Sequence, residues 1–389
     1  MLCFVVTHAV AQADETKPEG TKPAEATTAA QSSAPADNTP RIDIALLLDT
    51  SNSMDGLINQ ARTQLWQIVN EFEGVRRGDV RPVVRVALYE YGNQSLAAES
   101  GYIRQVMPLT TNLDEISEKL FALTTNGGEE FCGQVIQRAV EQLEWSDAPG
   151  SMYAIYIAGN EPFTQGPVDY KAACQAAAAK NITVSTIHCG SPEEGAQGMW
   201  AEGAKLADGQ YLVIDQNKVE PQIEAPQDKE LAELNAELNK TYCAYGGEAD
   251  RATAVARQQA QDSNAAQAAP AAAASRAATK AGANYRNASW DLVDAVCESQ
   301  VELDKLPKEQ LPEELRELST DELKQHVEKL RAQRVEIQSK IKALAAARSQ
   351  YIAAERAKLA ESGGNSLEAA VRGSIRHQAV ESGFEFVEE

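Results

Sequence analysis

The sequence predicts an α/β fold: a doubly wound, mostly parallel six-stranded sheet followed by a helical, partly coiled-coil region. Three observations carry this. Short apolar runs alternate with helical stretches between residues 41 and 215. Two neighbouring runs are joined by residues 92–101, too few for a crossover helix, so one edge strand is antiparallel. Beyond residue 215 the apolar residues recur at helical spacing among Glu, Lys, Arg and Gln.

Taken in order, residues 1–13 combine an apolar stretch with Ala11 and Ala13 before Asp14, which reads as a secretory signal with an A-x-A cleavage site, shortened because no positive segment precedes it. Residues 14–40 are rich in Ala, Thr, Pro, Glu and Ser and read as a disordered tether, since they have too little apolar surface to offset ordering entropy. Strands are expected at 42–48, 83–91, 102–107, 153–158, 182–188 and 211–214. Their apolar runs are continuous, as in strands covered on both faces. Leu57, Ala61, Leu65, Ile68, Val69 and Phe72 form one face of a first helix that packs on the sheet. Further helices are expected at 113–123, 132–143, 170–180 and 198–207, completing a domain over 41–215.

Residues 216–305 read as a connector. It holds a polar helix at 222–240, an Ala/Gln-rich stretch at 256–281 with little to pack against, and a short amphipathic helix at 289–303 around Trp290, Leu292, Val293 and Val296. From 306 to 361 the pattern predicts a long helix or a helical hairpin. Its heptads break near Arg334, which leaves an antiparallel pair within the chain and a coiled-coil dimer both open. Residues 362–389 read as a flexible tail.

With 57 acidic and 36 basic residues and a net charge of −21, the chain is repelled by nucleic acid and anionic lipid. No segment is long and apolar enough for a stable membrane span. The signal implies export, to a periplasm or the extracellular space. Of the six cysteines, five remain once Cys3 leaves with the signal, and a Cys243–Cys297 bridge is one pairing open to them. Cys132 and His188–Cys189 are the candidates for thiol chemistry, but packing or a disulfide is the plainer reading. No C-x-x-C pair, Walker loop, G-x-S-x-G elbow or H-E-x-x-H pattern occurs. A non-enzymatic protein is expected.

The first strand runs into Asp49-Thr50-Ser51-Asn52-Ser53, the pattern D-x-S-x-S. A carboxylate and two hydroxyls are hard oxygen donors, and on a tight loop at the carboxyl end of a buried parallel strand they can face one small cation. An Asp and two Ser capping the following helix is the alternative. The motif and the strand order together resemble the von Willebrand factor type A domain with its metal-ion-dependent adhesion site. The resemblance implies metal donors at Asp49, Ser51 and Ser53, with Thr125 and Glu129 from a second loop at 123–130. It also implies a third-loop Asp, but Gly159 stands there, before Asn160 and Glu161. The expected cofactor is Mg²⁺, with Ca²⁺ or Mn²⁺ as alternatives. The expected partner is a protein that offers a Glu or Asp to the metal. The competing expectation is an assembly protein that self-associates through its C-terminal helices around a metal-free sheet domain.

Overall fold

The computed structural model describes residues 38–215, 223–359 and 367–387. The signal, nearly all of the tether and parts of the connector and tail lie outside these residues. The elements are β1 (Arg41–Asp49), α1 (Asp55–Asn70), β2 (Val75–Arg76), β3 (Val83–Tyr91), β4 (Ile103–Thr110), α2 (Leu113–Ala122), α3 (Cys132–Gln142), β5 (Met152–Gly159), α4 (Tyr170–Ala178), β6 (Ile182–Cys189), α5 (Pro192–Gln197), α6 (Trp200–Leu206) and β7 (Tyr211–Ile214). There follow α7 (Asp228–Asn239), α8 (Glu248–Ala268), α9 (Pro270–Ala281), α10 (Leu292–Cys297), α11 (Thr320–Leu359), α12 (Leu367–Glu381) and β8 (Glu385–Phe386).

Six strands form one sheet in the order β4-β3-β1-β5-β6-β7. Only β4 is antiparallel to its neighbour, as the short 92–101 connection requires. The two-residue period of the strands divides the core. Ile42, Ile44 and Leu48 of β1 face a layer containing α1 and α2, while Ala45 and Leu47 face α3, α4 and α6. Burial on both faces explains why the strands read as continuous apolar runs.

The helical region differs from expectation in two places, the Ala-rich stretch and the end of the chain, and settles the long run as one helix. The Ala-rich stretch does not lack partners: Pro270 starts a new helix, α9, whose Ala274 and Ala277 pack with Leu231, Leu238 and Ile341, while Asn70 of α1 donates to Ser275 O at 3.0 Å. Small side chains here let helices approach closely. The long run is a single 40-residue helix, α11. Much of its apolar seam is used within the chain, where Leu323 and Val327 meet Leu292, Val293 and Leu311. Arg334, the heptad break, is buried and paired with Asp291 at 2.7 Å and Asp294 at 2.6 Å. The end of the chain was expected to be loose, but Val371, Ile375 and Ala379 of α12 and Phe384 are buried in the α1 layer, and β8 pairs with β2. Cys243 and Cys297 are not bonded to each other. No helix of the described residues is long and apolar enough to cross a membrane.

Candidate metal centre

The register of the sheet lines up its carboxyl edge: Asp49 lies opposite Tyr91, Leu48 opposite Ala158, and Gly159 opposite His188. Strands β3 and β5 flank β1 on opposite sides, so the connections diverge there and open a crevice beside Asp49.

Asp49 is fully buried. Its Oδ1 accepts the Ser51 backbone N–H at 2.7 Å, while Oδ2 has no hydrogen-bond partner. Room for the carboxylate depends on missing side chains. A Cβ on Gly92 would stand 2.8 Å from Oδ1, and one on Gly159 would stand 3.1 Å from Oδ2. The Ser51 and Ser53 hydroxyls are 3.1 Å apart, and Ser53 Oγ donates to Asn160 Oδ1 at 3.4 Å. Ser51, which precedes the first helical turn, makes no side-chain cap bond.

The second loop is stitched to the first. Asn126 donates its N–H to Thr50 O at 3.0 Å, and Gln94 donates to Gly127 O at 2.9 Å. Gly128 passes so close to the Gly92 carbonyl that any Cβ would collide with it. This path turns Glu130 inward and leaves Glu129 exposed. Glu130 is buried, and the Ser51 side chain beside it favours its charged form. Its N–H donates to Gln165 Oε1 at 3.2 Å, and Gln165 Nε2 donates to Glu161 Oε2 at 3.2 Å. Thr125 turns to Asp55, to which its hydroxyl donates. Of the five residues expected at the site, the structure brings together Asp49, Ser51 and Ser53, with Glu130 beside them, while Thr125 bonds to Asp55 and Glu129 is exposed.

Burial pushes Asp49 up to about 8, against the Ser51 hydrogen bond and reinforced by the charges of Glu130 and Glu161. Burial, with the Glu161 charge next, pushes Glu130 up to about 7. Among the described residues no three His, Cys, Asp or Glu side chains form a metal cage by themselves, so a cation held here would need the hydroxyls as donors. Two carboxylates with an orphaned buried oxygen, beside two hydroxyls, fit a hard divalent cation.

The third loop explains its own departure. A Cβ on Gly159 would collide with the Tyr91 hydroxyl, which donates to Ala158 O at 3.0 Å. The tyrosine occupies the space an aspartate would need. Gly159→Asp is expected to destabilise the chain by about 1–3 kcal/mol through overpacking, with partial recovery in the Tyr91→Phe background, as read by urea denaturation. Equal loss in both backgrounds would remove the tyrosine as the cause.

Neither Cys132 nor Cys189 is an activated thiol. Cys132 is buried 3.8 Å from the Tyr91 hydroxyl, and burial pushes its thiol well up, as it does for Cys189. An activated thiolate needs the opposite shift.

Residues 43–205 match the model of the von Willebrand factor type A domain. Among solved structures, BatB from Bacteroides thetaiotaomicron is similar at 20% identity with a TM-score of 0.35, over 45% of this chain and 90% of that one. An aerotolerance-related membrane protein from Bacteroides fragilis is similar at 18% identity and a TM-score of 0.32, over 45% and 92%. Proximal thread matrix protein 1 from the mussel byssus, in a structure with a zinc-occupied MIDAS motif, is similar at 12% identity and a TM-score of 0.36, over 47% of this chain and 44% of that one. No curated protein matches the chain.

Proposed function

We propose, on the premise that residues 43–205 form a von Willebrand factor type A domain, that this chain is a non-enzymatic protein-binding module whose adhesion depends on a divalent cation. The carrying observation is the buried, unpartnered Asp49 Oδ2, with Glu130 beside the same carboxylate. Asp49, Ser51, Ser53 and Glu130 would hold the ion, Mg²⁺ by preference, with Ca²⁺ or Mn²⁺ as alternatives. The bound cation would supply an open position for a carboxylate oxygen from an acidic residue of the partner. The chain's own contribution is positional. Ser51 N–H fixes one Asp49 oxygen so that the other faces the crevice, Gln165 holds the backbone of Glu130 and the side chain of Glu161 together, and Gly92 and Gly159 keep the approach clear. Export, expected from residues 1–13, belongs to the same proposal.

Calorimetric titration of Mg²⁺ into chelator-stripped protein tests it. Glu130→Gln is expected to weaken binding about tenfold or more, because a donor is lost, whereas Glu129→Gln should leave affinity within about twofold, since an exposed charge acts only at a distance. The reverse order would return the site to Glu129. No saturable binding in the unsubstituted protein would refute the metal reading.

A further inference from the structure

A second recess opens at the same sheet edge, between the ends of β5 and β6. This cleft of about 440 Å³ is lined by Asn160, Glu161, Pro162, His188, Glu194 and Gln197, among others, a size within the roughly 300–1,000 Å³ of ligand clefts. It adjoins the metal loop, because Asn160 is the residue that accepts from Ser53.

His188 is the unexplained group in its wall. The imidazole is 3% exposed, yet neither Nδ1 nor Nε2 has a hydrogen-bond partner. Burying polar nitrogens without partners is costly, and such groups in a folded chain call for a reason. The chain makes space for this ring at two glycines. A Cβ on Gly190 would come within 2.7 Å of Nε2, and one on Gly195 within 2.7 Å of the ring carbons, while Trp200 packs with its ring centre 5.6 Å away. The Glu194 carboxylate is near Nε2, since its Oε2 lies 3.4 Å from that same point on Gly190. Ser191 holds Glu194 in a capping box, with N···Oε2 3.1 Å and Oγ···Oε2 2.8 Å.

The recess thus presents two carboxylates, with an unpartnered imidazole buried in its wall, and none of its lining residues is Lys or Arg. Burial pushes the imidazole pKa down, against the Glu194 charge, so the ring is neutral at pH 7 and keeps a lone pair to offer. These groups do not constitute a metal site by their geometry. Their common complement is a cation that donates several hydrogen bonds.

We propose that the cleft receives a basic side chain, arginine or lysine, from the same partner whose acidic residue reaches the metal centre. This rests on the metal-dependent reading for its partner, but the recess is testable without metal. The full chain, ¹⁵N-labelled at histidine and kept in chelator, is titrated with Nα-acetyl-arginine methylamide, with its lysine counterpart, and with the neutral isostere Nα-acetyl-citrulline methylamide, while the His188 ring resonances are followed.

One basic probe is expected to shift those resonances saturably, at about 1–10 mM for so small a ligand. Citrulline should bind about tenfold more weakly, the equivalent of one charge-assisted hydrogen bond. Glu194→Gln should produce a similar loss, because it removes the charge from an exposed position while preserving the capping box. Absence of a shift with either basic probe, or a shift with citrulline equal to that of the better basic probe, would overturn the proposal. Binding of the basic probe together with failed Mg²⁺ calorimetry would sink the metal reading and leave the cleft as a cation subsite.

Discussion

In chelator at pH 8, Asp49→Asn is expected to unfold at a higher temperature than the unsubstituted protein, by an amount corresponding to a few kcal/mol. The reason is burial: Asp49 is held at about 8 in the folded chain against 3.8 for its ordinary value. Between those values the unfolded chain has lost the proton and the folded chain retains it. The folded state binds more protons, so unfolding free energy falls as pH rises from about 4 to about 8, then levels off. Glu130, pushed up to about 7, acts in the same direction. The asparagine variant lacks the Asp49 part of this decline, and its melting temperature should depend less on pH. Saturating Mg²⁺ should reverse the ranking at pH 8, since only the carboxylate form gains from the cation. Thermal unfolding across pH 4–9, with and without Mg²⁺, reads all of this. A variant that melts lower than its parent in chelator would show that Asp49 is a structural carboxylate.

The sheet was legible because both of its faces are covered. A strand buried on two sides must be apolar without interruption, so the runs at 83–91 and 211–214 give the observed strands to the residue. The antiparallel edge followed from loop length alone. The clustering of Asp49, Ser51 and Ser53 was legible for a similar local reason, since residues two apart on one turn meet whatever surrounds them. The orientation of the second loop was not, because whether Glu129 or Glu130 turns inward depends on how the chain crosses Gly92. The Ala-rich segment misled for another reason. Low side-chain volume predicts little burial only if no neighbour comes close, and α9 lies against α1, α7, α8 and α11. The end of the chain reads as polar because α12 buries a narrow stripe, Val371, Ile375 and Ala379.

Arg276→Met is expected to destabilise the chain by about 3–5 kcal/mol, the usual cost of leaving buried charge without its partner. Arg276 is 1% exposed in α9. It donates to Asp114 of α2 at 2.6 Å and to Asp262 of α8 at 2.5 Å, and its guanidinium lies 4.6 Å from the Trp66 ring centre in α1. Burial raises the pKa of Asp262, but the Arg276 and Lys280 charges outweigh it and leave the carboxyl below its ordinary value. Removing the arginine therefore strands the Asp262 carboxylate, which the fold keeps ionised. Adding Asp114→Asn and Asp262→Asn to Arg276→Met should recover part of the loss, because the three groups form one coupled unit; a purely additive triple variant would contradict the network. Metal binding gives the second readout. Helix α1 leaves the metal loop at Asp55 and meets α9 near Asn70, whose Oδ1 accepts the Thr279 hydroxyl at 2.7 Å. Sixteen residues of helix place that contact about 24 Å from the donors, so Mg²⁺ affinity should persist in the folded fraction of Arg276→Met. Lost affinity in a fully folded variant would instead mean that the helical region and the metal loop are coupled through α1, and that a partner gripping one of them is sensed at the other.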